Sequence, residues 1–259
     1  MSKTVLAVGA HPDDIEFMMA GTLLQLAAKG WEPHIFVVAS GSCGSTITDA
    51  KETAEIRYAE AAEAAQKLGA HFHPPVVDDL EIIYSLPLLG KIGAIIRKVN
   101  PEIILTHPPT DYMEDHEGTC RLTVSAAFAR GMKNFETDPP VDAVEGDTTV
   151  YHCLPYGLRD SLHRPVPADF FVDIANCLDR KKDALACHRS QKVWLDQSQG
   201  IDSYLNNMVE LSKKMGEESR VFTYAEGWLK HNPLGFCNQT ANPLAQALGS
   251  LLVSASPAI

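Results

Sequence analysis

Apolar runs alternate with amphipathic stretches along the first part of the chain. TVLAVGA (4–10) is a continuous apolar run of the kind that forms a buried strand, and PHIFVVAS (33–40) is a second. Between them, EFMMAGTLLQLAAKG (16–30) has the apolar spacing of an amphipathic helix that ends at a glycine. A strand, a helix and a strand in this order predict a βαβ unit.

The alternation continues beyond this unit. We expect helices over 50–68, with a stop at Gly69, and over 86–99, and strands in HFHPPVV (71–77) and PEIILTH (101–107). The later pattern is less regular and predicts strands in TTVYHC (148–153) and DFFVDIA (169–175) and helices over 174–189 and 201–215. This order indicates an α/β fold with a doubly wound, mostly parallel sheet and helices on both faces. We expect one domain over 1–259, in which the tail 238–259 is either a docked helix or a loose end.

Composition narrows the classes of partner. The chain has 259 residues, 45% of them hydrophobic, and a net charge of -11, which argues against nucleic acid or an anionic membrane as a partner. No apolar stretch reaches the roughly 18 residues that span a bilayer, and no apolar segment precedes a cleavage site, so we expect a cytoplasmic location. The cysteines are far apart and form no CxxC pair, which predicts reduced and mostly buried thiols. They are Cys43, Cys120, Cys153, Cys177, Cys187 and Cys237.

Charge gathers immediately after the first predicted strand, in AVGAHPDDIE (7–16). If Pro12 takes the first helical position, Asp13 and Asp14 lie in the first helical turn. His11 and Asp14 can then face a common point, with Asp13 beside them. Helix capping by the two aspartates, with His11 hydrogen-bonded in the core, is an equally good interpretation of these residues alone.

A second polar cluster, HPPTDYMEDHEG (107–118), follows another buried strand. A polar loop would explain it, but two strand ends that each carry His and Asp would meet at one edge of the sheet, where the carboxylates repel. A divalent cation removes this repulsion. His11, Asp14 and His116 provide two imidazoles and one carboxylate, the ligand set of a catalytic zinc site, and Asp13 is a spare carboxylate that can act as general base.

AHPDDIE and THPPTDYMEDH together resemble the paired motifs A-H-P-D-D-x-E and H-x-P-x-D-x-H-x-D-H of the PIG-L/LmbE-like zinc-dependent N-deacetylase family. The similarity extends to IRYAEAAEAAQKLGA (56–70) and YAEGW (224–228). It implies a Rossmann-like domain that binds one Zn²⁺ and acts on a small-molecule substrate, and it leaves homo-oligomer formation open. The resemblance assigns the metal to His11, Asp14 and His116, the role of base to Asp13, and the orientation of a catalytic imidazole to Asp115.

Met113 departs from this family pattern, because it stands where the motif has the histidine that stabilises the oxyanion. Methionine donates no hydrogen bond. The electrophilic assistance is therefore missing, or it comes from Tyr156, Tyr112, His152 or His163. A changed reaction is the other interpretation, since the family also resembles a zinc-dependent hydratase of an unsaturated oxo-acid in aromatic catabolism.

Two further features near the predicted site have alternative explanations. Arg57 matches a family arginine and either anchors substrate or forms a surface pair with Glu60, three residues later on the same helix. The stretch SGSCGS (40–45) either binds an anion, with Cys43 as nucleophile, or forms a rim loop, and we favour the rim loop because the stretch has no lysine and no GxGxxG pattern.

Other polar residues are weaker candidates. Arg159, His163 and Arg164 can bind an acidic substrate at the mouth of the site, although a solvated loop explains them equally well. His71 and His73 have a spacing seen in metal sites, but we leave them out because an isolated HxH in a strand is more often exposed.

These observations predict a zinc-dependent hydrolase that removes an acyl group from an N-acyl amine, namely an N-acetylated sugar or glycoconjugate. The alternative is a zinc-dependent hydratase or lyase of a small unsaturated oxo-acid. An inactive sugar-binding module is disfavoured, because binding alone needs no base beside the ligand Asp14. The predicted residues are Asp13, Asp115 and Tyr156 for catalysis, Arg57, Met113, Tyr112 and His163 for substrate, and His11, Asp14 and His116 for the metal.

Overall fold

A computed structural model describes residues 3–192 and 204–255 and places eight strands in one sheet. The strands are β1 (Thr4–Gly9), β2 (Glu32–Val37), β3 (His71–His73), β4 (Ile103–Thr106), β5 (Thr149–Cys153), β6 (Phe170–Asp173), β7 (Ala225–Lys230) and β8 (Leu252–Ser254). The main helices are α1 (Asp14–Met18), α2 (Ala20–Ala28), α3 (Ala50–Leu68), α4 (Leu86–Val99), α5 (Glu114–Ala129), α6 (Leu178–Leu185), α7 (Tyr204–Ser219) and α8 (Pro243–Leu248). Within the described residues, no helix has the length and apolar character needed to cross a membrane.

The sheet has the strand order β3-β2-β1-β4-β5-β7-β6-β8. The strands from β3 to β5 run parallel, and β7, β6 and β8 continue the sheet with antiparallel pairings. The chain moves outward from β1 to β2 and β3 and then returns to β4 on the other side of β1, so the direction of winding reverses between β1 and β4. The predicted mostly parallel α/β sheet is confirmed, and its reversal point lies where ligands bind in such sheets.

Alternate side chains of β1 enter two different cores. Val5 and Ala7 pack with residues of α1, α2 and α3 on one face of the sheet, whereas Leu6 and Val8 pack with residues of α4 and α5 on the other. All four side chains are fully buried, as the continuous apolar run requires for a strand covered on both sides. The predicted arrangement of helices on both faces is therefore confirmed.

The helix predicted over 16–30 is divided in two at Met19, where φ is -130° and ψ is -18°. The Glu226 carboxylate of β7 accepts hydrogen bonds from the backbone N–H groups of Gly21 (2.8 Å) and Thr22 (2.7 Å). The ammonium of Lys181 lies 2.6 Å from the same carboxylate. A distant carboxylate thus satisfies the free amides at the start of α2, and this contact explains why the pattern reads as one helix but folds as two.

The predicted helices α3 and α4 have the expected ends, and the αL conformation of Gly69 closes α3. The helix predicted over 174–189 is shorter, because a 3₁₀ turn at Ala175–Cys177 precedes α6. The first residues of the helix predicted over 201–215 lie outside the described residues. The tail contains both the docked helix α8 and the strand β8, which pairs with β6, so its described part is not a loose end.

Candidate active site

The loops after β1 and β4 bring the two polar clusters together. Val8 of β1 lies beside Thr106 of β4, so both strands deliver their next residues to the same edge of the sheet. The backbone N–H of Ala10 donates a hydrogen bond to Nε2 of His107 (3.0 Å), which fastens one loop to the other. The predicted meeting of the two clusters at the reversal point is therefore present in the structure.

His11, Asp14 and His116 converge at this edge, and one ligand atom from each lies within 4.8 Å of the others. Asp14 lies between the rings: its Oδ2 is 3.6 Å from Nδ1 of His11, and its Oδ1 is 3.3 Å from Nε2 of His116. His107 and Asp111 form a further group with His116 at the same place. Two imidazole nitrogens and a carboxylate oxygen are a donor set that fits Zn²⁺.

The charges around these rings favour a cation between them. Burial alone would lower the pKa of His116, but Asp14 and Asp111 raise it to about 10. Burial opposes protonation of His11 too, yet Asp115 and Asp14 raise its pKa to about 9. For Asp14, burial would raise the pKa, but His116 and His107 hold it well below its usual range. The site is thus built to hold positive charge, which a bound metal ion would supply.

In each candidate ligand histidine, the ring nitrogen that does not face Asp14 contacts a further carboxylate. Asp111 Oδ1 lies 3.1 Å from Nδ1 of His116, and Asp115 Oδ2 lies 3.1 Å from Nε2 of His11. Asp115 is fixed in turn by the backbone N–H of Leu80, which donates to it at 2.8 Å. Such partners orient the rings of metal-binding histidines and make them better ligands.

Asp13 has a different environment from Asp14. Helix α1 begins at Asp14, so Pro12 does not occupy the first helical position, and Asp13 adopts φ 108° without capping the helix through its side chain. The hydroxyl of Tyr204 donates to Asp13 Oδ2 at 2.6 Å, and Nη2 of Arg57 lies 3.4 Å from Oδ1. Burial raises the pKa of Asp13, while Arg57 opposes that rise. A strained backbone and two donors therefore hold this carboxylate beside the candidate ligands.

A cavity of about 300 Å³ opens over the cluster. Its charged lining side chains, apart from the histidines, are Asp13, Asp14, Asp79, Asp111, Asp115 and Arg57. Within residues 3–192 and 204–255, Arg57 is the only lysine or arginine in the lining. The undescribed stretch 193–203 contains neither residue type. Among the charged side chains of the described wall, apart from the histidines, carboxylates therefore outnumber cations.

The residues proposed to replace the missing histidine lie in different places. Met113 lines the cavity, as do Tyr112 and Tyr156, whose rings are 6.0 Å apart. His152 is buried behind the site, where its Nδ1 lies 2.7 Å from the carbonyl oxygen of His107. His163 is exposed and does not line the cavity.

The loop that carries His163 is occupied with its own contacts. Arg159 donates to the carbonyl oxygen of His163 (2.8 Å), and Arg164 pairs with Asp160 (2.7 Å). Neither arginine lines the cavity. The alternative of a solvated loop therefore fits these side chains.

Arg57 and Glu60 are both buried, so they are not a surface pair. Arg57 donates to the carbonyl oxygen of Pro12 (2.5 Å) as well as facing Asp13. Glu60 accepts from the hydroxyl of Ser190 (2.6 Å). The structure thus places Arg57 behind Asp13 and also in the wall of the cavity.

Tyr204 and Gln191 are cavity residues that the sequence patterns did not single out. Tyr204 belongs to the amphipathic pattern of α7, in which an aromatic residue looks like any other core residue. Gln191 donates from Nε2 to the carbonyl oxygen of Gly44 (3.0 Å) and so closes the wall beside Cys43. Cys43 is exposed at this rim, in agreement with the predicted rim loop, and the other thiols are free and more buried.

Comparison with known proteins finds a matching family and two enzymes of different activity. Residues 6–127 match the family PIG-L, GlcNAc-PI de-N-acetylase. The chain is 28% identical over 235 residues to the 4-oxalmesaconate hydratase of Pseudomonas putida, a match that covers 87% of this chain and 88% of the relative. It is 24% identical over 238 residues to the 1D-myo-inositol 2-acetamido-2-deoxy-alpha-D-glucopyranoside deacetylase of Rhodococcus opacus, over 73% of this chain and 82% of that enzyme.

The fold agrees with these matches. The crystal structure of the 4-carboxy-2-hydroxymuconate hydratase of Pseudomonas putida superposes with a TM-score of 0.76 and 22% identity, over 93% of this chain and 99% of the other. Amide-cleaving and water-adding enzymes therefore both occur among the relatives, and the choice between these reactions depends on the cavity of this chain.

Proposed function

This chain belongs to the PIG-L/LmbE-like N-deacetylase family, and we propose that it is a zinc-dependent hydrolase that removes the acyl group from an N-acyl amine. The observation that carries this choice is the state of the one arginine in the described part of the cavity wall: Arg57 already contacts Asp13 and the carbonyl oxygen of Pro12. An amide substrate is neutral, so it needs no cationic side chain for binding. A substrate with several carboxylates would need such side chains, and the described wall offers no unengaged lysine or arginine. We therefore propose an N-acetylated sugar or glycoconjugate as the substrate.

His11, Asp14 and His116 would hold the metal ion. Zinc in a site with three protein ligands lowers the pKa of water and polarises a carbonyl group. Asp13 takes a proton from the attacking water and returns it to the nitrogen of the leaving amine. Tyr204 and Arg57 keep the Asp13 carboxylate in place for both transfers.

Two tyrosines of the cavity wall are proposed to donate hydrogen bonds to oxygens of the substrate. Tyr112 packs edge-on against the ring of His116 at 5.5 Å, and Tyr156 lies across from it at the cavity wall. Burial and the nearby aspartates raise the pKa of Tyr112, so its hydroxyl keeps the proton that it would donate. We propose that Tyr156 donates to the oxygen of the reacting carbonyl group, and that Tyr112 and Met113 contact the rest of the substrate.

Hydration of a small unsaturated oxo-acid is the second candidate, and Met113 favours it. A methionine at this position cannot provide the imidazole that the family pattern uses on the amide oxygen. The similarity to a hydratase over 87% of the chain points in the same direction. Arg57 is then the group that would bind a carboxylate of the substrate.

A parallel assay of the zinc-loaded protein distinguishes these reactions. Release of free amine from N-acetylated sugars is measured beside the loss of ultraviolet absorbance of an unsaturated oxo-dicarboxylic acid, with Asp13→Asn as the control for contaminating enzymes. We expect amine release that depends on Asp13. Hydration of the oxo-acid without any amine release would overturn the hydrolase proposal and leave the hydratase.

A further inference from the structure

A second group of imidazoles lies at the other end of the strands. Glu32 and His34 are on β2, and His71 and His73 are on β3, with His34 directly beside His71 in the parallel pairing. Glu32 and His71 are the first residues of their strands, whereas the cavity lies beyond the carboxyl ends of β1 and β4. The proposed hydrolysis uses none of these four side chains.

Three of these side chains point ligand atoms at one another. Glu32 Oε1 lies 2.9 Å from Nε2 of His71 and 3.8 Å from Nε2 of His34. The two rings are stacked with their centroids 4.7 Å apart, and one ligand atom from each of the three residues lies within 4.8 Å of the others. Ligands of a tetrahedral zinc ion with bonds of about 2.0 to 2.1 Å are separated by roughly 3.4 Å, so small side-chain shifts suffice to bind an ion.

His73 contacts the ring nitrogen of His34 that does not face Glu32. Its Nε2 lies 3.0 Å from Nδ1 of His34. His73 is buried, so this contact is shielded from solvent. When Nε2 of His34 binds a metal, its Nδ1–H donates to His73, which is the outer contact usual for metal-binding histidines.

We propose that Glu32, His34 and His71 form a second site for a divalent transition metal such as Zn²⁺, separate from the cavity. Two imidazoles and one carboxylate select such an ion over Ca²⁺ or Mg²⁺, which prefer oxygen ligands. The side chains of Glu32 and His71 are 40% and 61% exposed, so the ion enters from solvent and water completes its coordination. The bound ion ties the three-residue edge strand β3 to β2.

Counting bound zinc in paired variants tests this site independently of the proposed function. Metal-free protein is titrated with Zn²⁺ in a calorimeter, and bound metal is measured after gel filtration. We expect about two zinc ions for the unmodified chain, about one for either His71→Ala or His116→Ala, and about none when both are replaced. Loss of zinc in His116→Ala reports on the cavity alone, and loss in His71→Ala reports on the second site alone.

Two further variants guard against indirect effects. Glu32→Gln preserves the size of the side chain and should weaken binding at the second site at least tenfold, even if His71→Ala disturbs the edge of the sheet. His163→Ala removes an exposed histidine outside both clusters and should leave the count unchanged. A zinc count that stays the same in both His71→Ala and Glu32→Gln would overturn the second site, whatever the count in His116→Ala.

Discussion

Asp115 Oδ2 lies 3.1 Å from Nε2 of His11, although the family pattern pairs the aspartate at this position with a catalytic histidine two residues earlier. Met113 offers that aspartate no hydrogen-bond partner. In this chain the carboxylate instead supports a residue of the candidate metal site. Asp115 therefore contacts His11 in a chain that has no imidazole at position 113.

Removal of this carboxylate should weaken metal binding. We expect Asp115→Ala to lower zinc affinity at the cavity by about 10- to 100-fold, because His11 loses the partner that orients its ring. Glu114→Ala is the matched control, since Glu114 is an exposed acidic residue in the same turn of α5. Competition with a zinc-sensitive dye measures both variants, and equal affinities for the two would contradict the supporting role of Asp115.

Asp13 should be needed for turnover but not for metal binding. We expect Asp13→Asn to keep its zinc while the turnover rate falls by roughly 10² to 10⁴, the range usual for loss of a general base. Asp14→Asn should lose the zinc, which separates a base from a ligand. If the metal content of Asp13→Asn drops as well, Asp13 is a ligand and another group must act as base.

The hydroxyl of Tyr204 should matter through Asp13. Hydrogen bonds to charged groups contribute about 1.5 to 3 kcal/mol, so Tyr204→Phe should lower kcat by roughly tenfold or more, with KM and zinc content little changed. The buried ring remains and keeps the packing of α7 intact. Tyr58→Phe, in which the lost hydroxyl belongs to a half-exposed ring on α3, is the control. A change in KM alone would show that Tyr204 contacts the substrate instead of holding the base.

The ion pair between Lys181 and Glu226, which lies beside the break between α1 and α2, should contribute strongly to the free energy of unfolding. Both side chains are almost fully buried, and their charged atoms are 2.6 Å apart. Replacement of one partner leaves a buried charge, so we expect Lys181→Met to lower the free energy of unfolding by roughly 3 to 5 kcal/mol. Urea unfolding measures this loss, and Lys182→Met on the same helix should change little. Similar stabilities for the two variants would mean that the backbone amides of Gly21 and Thr22 alone satisfy Glu226.

The contact of Glu226 with the start of α2 could not be predicted from the pattern of apolar residues. Helices such as α3 were predicted with their ends, because the caps and the apolar spacing are local in sequence. The break at Met19 was not, because it depends on Glu226, which lies far away along the chain. Helix α5 begins in a stretch so rich in polar residues that it reads as a loop, since the buried face of its first turn consists of Asp115 and His116.

Some contacts of the candidate site were likewise predictable from the sequence, and others were not. The grouping of His11, Asp14 and His116 was predictable because parallel strands bring the residues after them to one edge. The contact between Tyr204 and Asp13 was not predictable, since a tyrosine on an amphipathic helix gives no signal of its partner. The contact between Asp115 and His11 also depends on geometry that the motif does not encode.

Met113→His tests which reaction the chain performs. If this chain performs amide hydrolysis, one ring nitrogen of the new imidazole can donate a hydrogen bond to Asp115 and the other can donate to the substrate oxygen. The rate of deacetylation of an N-acetylated sugar should then rise. Loss of one such contact typically raises the activation free energy by about 2.7 to 4 kcal/mol. We expect the new imidazole to recover only part of this amount, because Asp115 must then contact both His11 and the new ring. Met113→Leu is the control, since it keeps an apolar side chain of similar size. The rates of Met113→His on both substrate classes decide the matter: a variant that loses hydration of an oxo-acid and gains no deacetylation would show that Met113 packs against an oxo-acid substrate and that the hydrolase proposal is wrong.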